Sequence, residues 1–158
     1  MRAFSLRPHL VAGLAAAGLL AAGSVAAQSF EDRVAARQGQ FKLFALHVGP
    51  LVGMAQGNIE YDAALAQTAA DNLVRLTSVE QTLLWPEGSD NVSIDGTRAL
   101  PAIWEDLEDF AAKMDDLRAG TEAMQAVAGD GLDAVRGALG GVGGACQACH
   151  EAYRGPAD

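Results

Sequence analysis

Two cysteines and three histidines are all the thiols and imidazoles in this 158-residue chain. That scarcity closes several routes. A structural zinc site wants about four Cys or His ligands, and once His9 is set aside with the N-terminal leader only His47 and His150 accompany Cys146 and Cys149. A multi-disulfide scaffold is excluded, and a disulfide across two intervening residues would distort a helix. The chain also lacks runs that alternate apolar and polar residues, so strands and a βαβ unit are not expected. Basic charge is short as well: 11 Lys and Arg stand against 20 Asp and Glu, a formal charge of −9. Such a chain repels nucleic acid and anionic membranes, and its surface suits basic protein partners or none.

Residues 1–27 read as an exported leader. Arg2 and Arg7 precede an apolar run that starts at Leu10, and Val25-Ala26-Ala27 fits a small-residue cleavage site, which places the cut before Gln28. The apolar run is marginal for a spanning helix, so a retained anchor is the weaker reading. Removal leaves 131 residues, 28–158, with nine basic and 20 acidic side chains and a formal charge of −11. That length supports one domain with a real core.

Against this sparse background stands Cys146-Gln147-Ala148-Cys149-His150. The order C-x-x-C-H is that of c-type haem attachment. Two thiols add to two vinyl groups, and the adjoining imidazole reaches the iron. On a helix Cys146 and Cys149 share a face, with His150 four positions beyond Cys146, so one turn can hold both thioethers and the axial ligand. A thioredoxin-like dithiol would instead open a helix after a strand. Export and haem attachment together place the protein in a bacterial periplasm.

The remaining sequence has helical periodicity. Phe30, Val34, Arg37, Phe41, Phe44, Val48, Leu51 and Ala55 alternate spacings of four and three, with Gly53 and Gly57-Asn58 closing the helix. A second helix starts near Asp62 and carries Leu65, Ala69, Asn72, Leu76, Val79 and Leu83 inward, ending before Trp85-Pro86. Residues 87–100 form the long loop. A third helix starts at Pro101 with Ile103, Leu107, Phe110, Met114, Leu117, Thr121, Met124 and Ala128 on its stripe. The fourth carries Leu132, Val135, Leu139, Val142, Cys146, Cys149 and Tyr153, so both cysteines continue the core stripe and the haem lies inside the bundle. The expected fold is all-α, an antiparallel four-helix bundle with covalently bound haem c.

Two features stand out from that frame. Arg37 is a cation on an inward stripe, which would cost several kcal/mol unpartnered, so something anionic should meet it. Gly137, Gly140, Gly141, Gly143 and Gly144 crowd the last helix at roughly 1 kcal/mol each relative to Ala. They either let a flat macrocycle approach the backbone or mark a frayed or kinked stretch.

Over residues 28–158 the chain resembles cytochrome c prime, the high-spin class II c-type cytochromes. The resemblance rests on Ala36-Arg37-Gln38, Val48-Gly49-Pro50, Tyr61-Asp62-Ala63-Ala64, Thr97-Arg98-Ala99-Leu100-Pro101-Ala102-Ile103-Trp104, and Val142-Gly143 with Cys146 through Arg154. Trp85-Pro86 departs from it, since the family commonly has proline before tryptophan. The resemblance implies one haem c on Cys146 and Cys149 with His150 on the iron. It places Arg37 and Gln38 near the propionates, Phe41 over the distal iron face, Arg154 by the proximal pocket, and Thr97 and Arg98 toward the haem edge. Met54 lies about 20 Å along the helix from Phe41 and cannot serve as a sixth ligand. Met114 and Met124 suit core packing, and His47 a surface position.

The functional expectation is a five-coordinate, high-spin iron that binds small gases, NO and CO, or transfers single electrons. The alternative is a low-spin class II electron-transfer cytochrome with no open iron site. An enzyme is not expected, because the Phe41, Phe44 and Val34 stripe offers no acid–base group over the iron. Partners would be diatomic gases, a basic redox protein, or a second copy through the first two helices. Nucleic acid is excluded, as is membrane once the leader is gone.

Overall fold

The computed structural model describes residues 22–156. The leader expected over 1–27 lies outside them up to residue 21. Five helices follow in order: α1 (Ala22–Ala55), α2 (Ala63–Thr77), α3 (Ala102–Glu105), α4 (Leu107–Gln125) and α5 (Leu132–Tyr153). The four long ones close a ring in which α1 and α4 each touch both α2 and α5. Among the described residues there is no strand beyond an isolated antiparallel bridge, Ala99 with Arg154. The fold is an all-α four-helix bundle. Among the described residues no helix is long and apolar enough to cross a membrane.

Helix ends follow their sequence signals. Past α1 the chain turns at Gly57, whose φ of 76° favours a residue without Cβ. Asp62 caps α2 by accepting from the Leu65 amide at 3.0 Å. Tyr61 pins the far turn, donating to the Ala128 carbonyl at 2.9 Å and accepting from the Gly131 amide at 3.0 Å.

Three expectations about the helices need correction. First, α2 ends at Thr77, and its buried face is Ala66, Ala69, Ala70, Leu73 and Thr77. Leu65 and Leu83 are 43% and 65% exposed. The small alanines let neighbouring helices approach, and the Thr77 and Ser78 hydroxyls both turn back to the Val74 carbonyl where the helix stops. Second, the third helix is interrupted at Asp106 (φ −142°, ψ 76°), whose carboxylate caps the Asp109 amide at 2.9 Å. The break turns Leu107 outward, to 57% exposure.

Third, α5 runs unbroken through its five glycines from Leu132 to Tyr153, so the stretch is not frayed. A Cβ on Gly120 of α4 would stand 3.1 Å from the carbonyl carbon of Gly141. Gly141 therefore serves the α4–α5 crossing, while Gly137, Gly140, Gly143 and Gly144 have nothing within 4 Å of a Cβ position.

The core falls into two clusters. One fills the bundle around Leu51, Met54, Leu73, Met124, Val135 and Val142. The other gathers Ile103, Phe110, Met114 and Tyr153, with Trp85 and Cys149 packed against it. Between them the side chains leave a space unfilled.

Candidate functional site

That space is a cavity of about 560 Å³, open to solvent and walled by α1, α4, α5 and the long loop. All nine residues expected at the site line it: Arg37, Gln38, Phe41, Thr97, Arg98, Cys146, Cys149, His150 and Arg154. Helical periodicity brings the α1 and α5 residues there. Thr97 and Arg98 arrive by a different route, described below.

Cys146 and Cys149 are half-buried and free. Burial pushes both thiols above the ordinary thiol range, Cys149 further opposed by Cys146, so both are protonated at neutral pH. His150 is exposed at the mouth. Burial of its ring, then the charges of Arg154 and Arg98, hold the imidazole below its usual pKa, which favours the neutral form that can bind a metal. Arg154 Nη1 lies 3.4 Å from His150 Nδ1. Among the described residues no cluster of three His, Cys, Asp or Glu could hold a metal ion unaided.

Arg37 is 2% exposed, yet its guanidinium does not meet a carboxylate directly. It donates to Ser89 Oγ at 2.6 Å, to the Ser89 carbonyl, and to Thr97 Oγ1 at 2.8 Å, and lies 4.6 Å over the Trp85 ring. Within the protein, neutral oxygens of the loop satisfy the guanidinium. Burial lowers its pKa to about 10 and Asp90 opposes that shift, so it remains cationic at neutral pH. Gln38 Nε2 donates to the Gly96 carbonyl at 2.7 Å, a second tie between α1 and the same loop.

The loop's other end is tied to α5. Leu100 N donates to Tyr153 O at 3.0 Å and Gly155 N to Arg98 O at 2.8 Å, on either side of the Ala99–Arg154 bridge. Arg98 Nε also donates to the Gly155 carbonyl at 2.8 Å. These bonds carry Thr97 and Arg98 to the cavity although no helix positions them.

Trp85, Lys42, Lys113 and Met114 are among the wall residues that the sequence does not mark as such. Trp85 stands between Phe110 (4.8 Å between centroids) and Phe41 (6.2 Å), and an aromatic just before the loop was its only signal. Lys42 and Lys113 were hidden because surface lysines are ordinary. Met114 was assigned to plain core, but it lines the cavity, whereas Met54 and Met124 do not. Phe41 is tilted against Phe44 at 5.9 Å, forming an apolar cover. His47 is half-buried and off the wall.

A haem fits this arrangement. Much of the wall is aromatic and aliphatic, two thiols and an imidazole sit on one α5 face, and five cationic side chains line the same cavity.

The sequence profile of the Cytochrome C′ family matches residues 32–154. Cytochrome c-554 of Cereibacter sphaeroides is 41% identical over 128 residues, 81% of this chain and 96% of that protein. A solved cytochrome c′ from Rhodobacter is 39% identical with a TM-score of 0.79, covering 81% of this chain and 98% of the other. A ferrous variant of cytochrome c prime from Alcaligenes xylosoxidans, solved with bound NO, is 32% identical with a TM-score of 0.70, covering 81% and 97%.

Proposed function

The chain belongs to the cytochrome c′ family and carries one covalent haem c; from that premise we propose a periplasmic protein whose haem iron is five-coordinate and high-spin, open to NO or CO. When bound, the haem supplies an iron that exchanges one electron and accepts one small ligand. Cys146 and Cys149 would hold the porphyrin through thioethers, formed by adding each S–H across a vinyl group with no oxidant required. His150, on α5, would supply the iron's protein ligand. Arg37 and Gln38 fix the loop wall, burial together with Arg154 and Arg98 favours the neutral imidazole, and Thr97 and Arg98 would border the haem.

One observation carries the reading: among the described residues His150 is the sole imidazole lining the cavity, and Phe41, backed by Phe44, contributes only hydrocarbon. A small uncharged gas can enter beside such a ring, while water gains no hydrogen bond there. The NO-bound Alcaligenes structure supports the same chemistry. Among the described residues Phe41 and Phe44 bring no acid–base group to this cover, which favours a binding or redox role over an enzyme. The leader over residues 1–27 would deliver residues 28–158 to the periplasm. Exposed Leu43 and Leu46 on α1 and Leu65 on α2 support a homodimer through those helices.

A second reading rests on Met114, the one methionine on the cavity wall. Its thioether could complete a low-spin iron and close the gas site. Absorption spectra of the oxidised, reduced and CO-treated reduced protein decide between them. A high-spin ferrous spectrum that changes with CO supports the open site, and a methionine–histidine spectrum indifferent to CO overturns it.

A further inference from the structure

Charge in this protein is sorted, and the cavity is where the sorting shows. Five of the nine basic residues that follow the leader line it: Arg37, Lys42, Arg98, Lys113 and Arg154. None of the 19 acidic side chains among the described residues does. Two of the five cations are engaged inside the fold, Arg37 with the loop oxygens and Asp90 nearby, Lys113 with Asp109 at 3.0 Å. Lys42, Arg98 and Arg154 pair with no carboxylate among the described residues, and Lys42 and Arg154 are exposed. Arg154 Nη1 stands 3.4 Å from His150 Nδ1 at the mouth, and Arg98 lines the same wall. A bound haem would add two propionate charges against the five cations of the wall, within a chain of formal charge −11.

We propose that Lys42, Arg98 and Arg154 make the mouth of the haem cavity a cationic docking face, and that it receives an acidic patch on a partner redox protein. This rests on the electron-exchange part of the function proposed above. Net charge alone points to a basic partner. Electron exchange, however, depends on the potential where the haem edge is reachable, and opposite charge there raises encounter rates while like charge lowers them. The step is outer-sphere: one electron leaves the ferrous protein and reduces the acceptor, with no bond made or broken.

The test uses the ferrous holoprotein and two small oxidants, ferricyanide (anionic) and tris(phenanthroline)cobalt(III) (cationic), in stopped-flow across ionic strength. The expected result is a ferricyanide rate constant that falls on the order of threefold between about 10 and 200 mM salt, as attraction is screened, while the cobalt rate rises. Lys42→Glu should flatten or invert the ferricyanide slope with the haem spectrum unchanged. Arg136→Glu changes net charge equally but sits 14 residues before His150 on α5, about 21 Å away, and should leave the slope alone. A ferricyanide rate that rises with salt in the unmodified protein overturns the docking face in favour of a basic partner, as does a slope indifferent to Lys42→Glu. Failure to exchange electrons with either oxidant would overturn the functional premise itself.

Discussion

Gly120 and Gly141 meet backbone to backbone, so that a Cβ on Gly120 would stand 3.1 Å from the Gly141 carbonyl carbon and 3.2 Å from its oxygen. Backbone cannot swing aside as a flexible side chain can. Gly120→Ala is therefore expected to destabilise the protein by about 1–2 kcal/mol, overpacking outweighing the gain in helix propensity. Gly137→Ala, with open space around the new methyl, should stabilise by about 0.5–1 kcal/mol. Urea midpoints of the two variants, moving in opposite directions, check this.

Arg37 holds the loop through Ser89 and Thr97, and its removal orphans buried acceptors. Arg37→Ala should cost about 2–4 kcal/mol of stability. Ser89→Ala, at a residue that is fully buried but off the cavity wall, should cost about 1–2 kcal/mol. Guanidinium denaturation measures both. A Ser89 variant as stable as the parent would show that the hydroxyl bond to Arg37 contributes nothing to holding the loop.

Phe41→Ala opens the apolar cover over the proposed iron site. CO affinity of the ferrous protein should rise, by about tenfold if roughly 1.4 kcal/mol of steric resistance is relieved. CO titration followed by absorption is the measurement, and an unchanged affinity would remove Phe41 as the gate.

Tyr153 donates to Asp109 Oδ2 at 2.6 Å, and this bond, reinforced by burial, pushes the phenol pKa up to about 12. The folded state therefore holds the proton more tightly than the unfolded chain. The resulting stabilisation is complete below about pH 10 and is lost as pH rises toward 12. Asp109 moves the other way: Tyr153 and then Lys113 hold its carboxylate below the usual range, so its contribution is lost in acid. In Asp109→Asn the Tyr153 pKa should fall toward 10, read by NMR titration of carbon-13-labelled tyrosine.

How much of this could be read in advance differs by element. Arg37, Phe41, Cys146, Cys149 and His150 were placed by helical spacing and by one five-residue motif, because spacing fixes which side chains share a face. Leu65, Leu83 and Leu107 were placed wrongly inward. Hydrophobicity favoured leucine over alanine, but α2 packs by close approach of small residues, and Asp106 breaks the register of Leu107. The partners of Arg37 could not be read either, since Ser89 and Thr97 reach it through a loop without periodicity. Gly141 was legible only as a cost until its neighbour Gly120 came into view.

The bridge between Ala99 and Arg154 means that the motif-bearing segment does not carry its own geometry. A haem peptide cut from the final helix would keep both thioethers and the imidazole, but the ring's bearings come from residues some fifty positions upstream. Such a fragment would be a poor miniature of the protein. Designs that graft this haem site elsewhere must transplant the strap together with the helix.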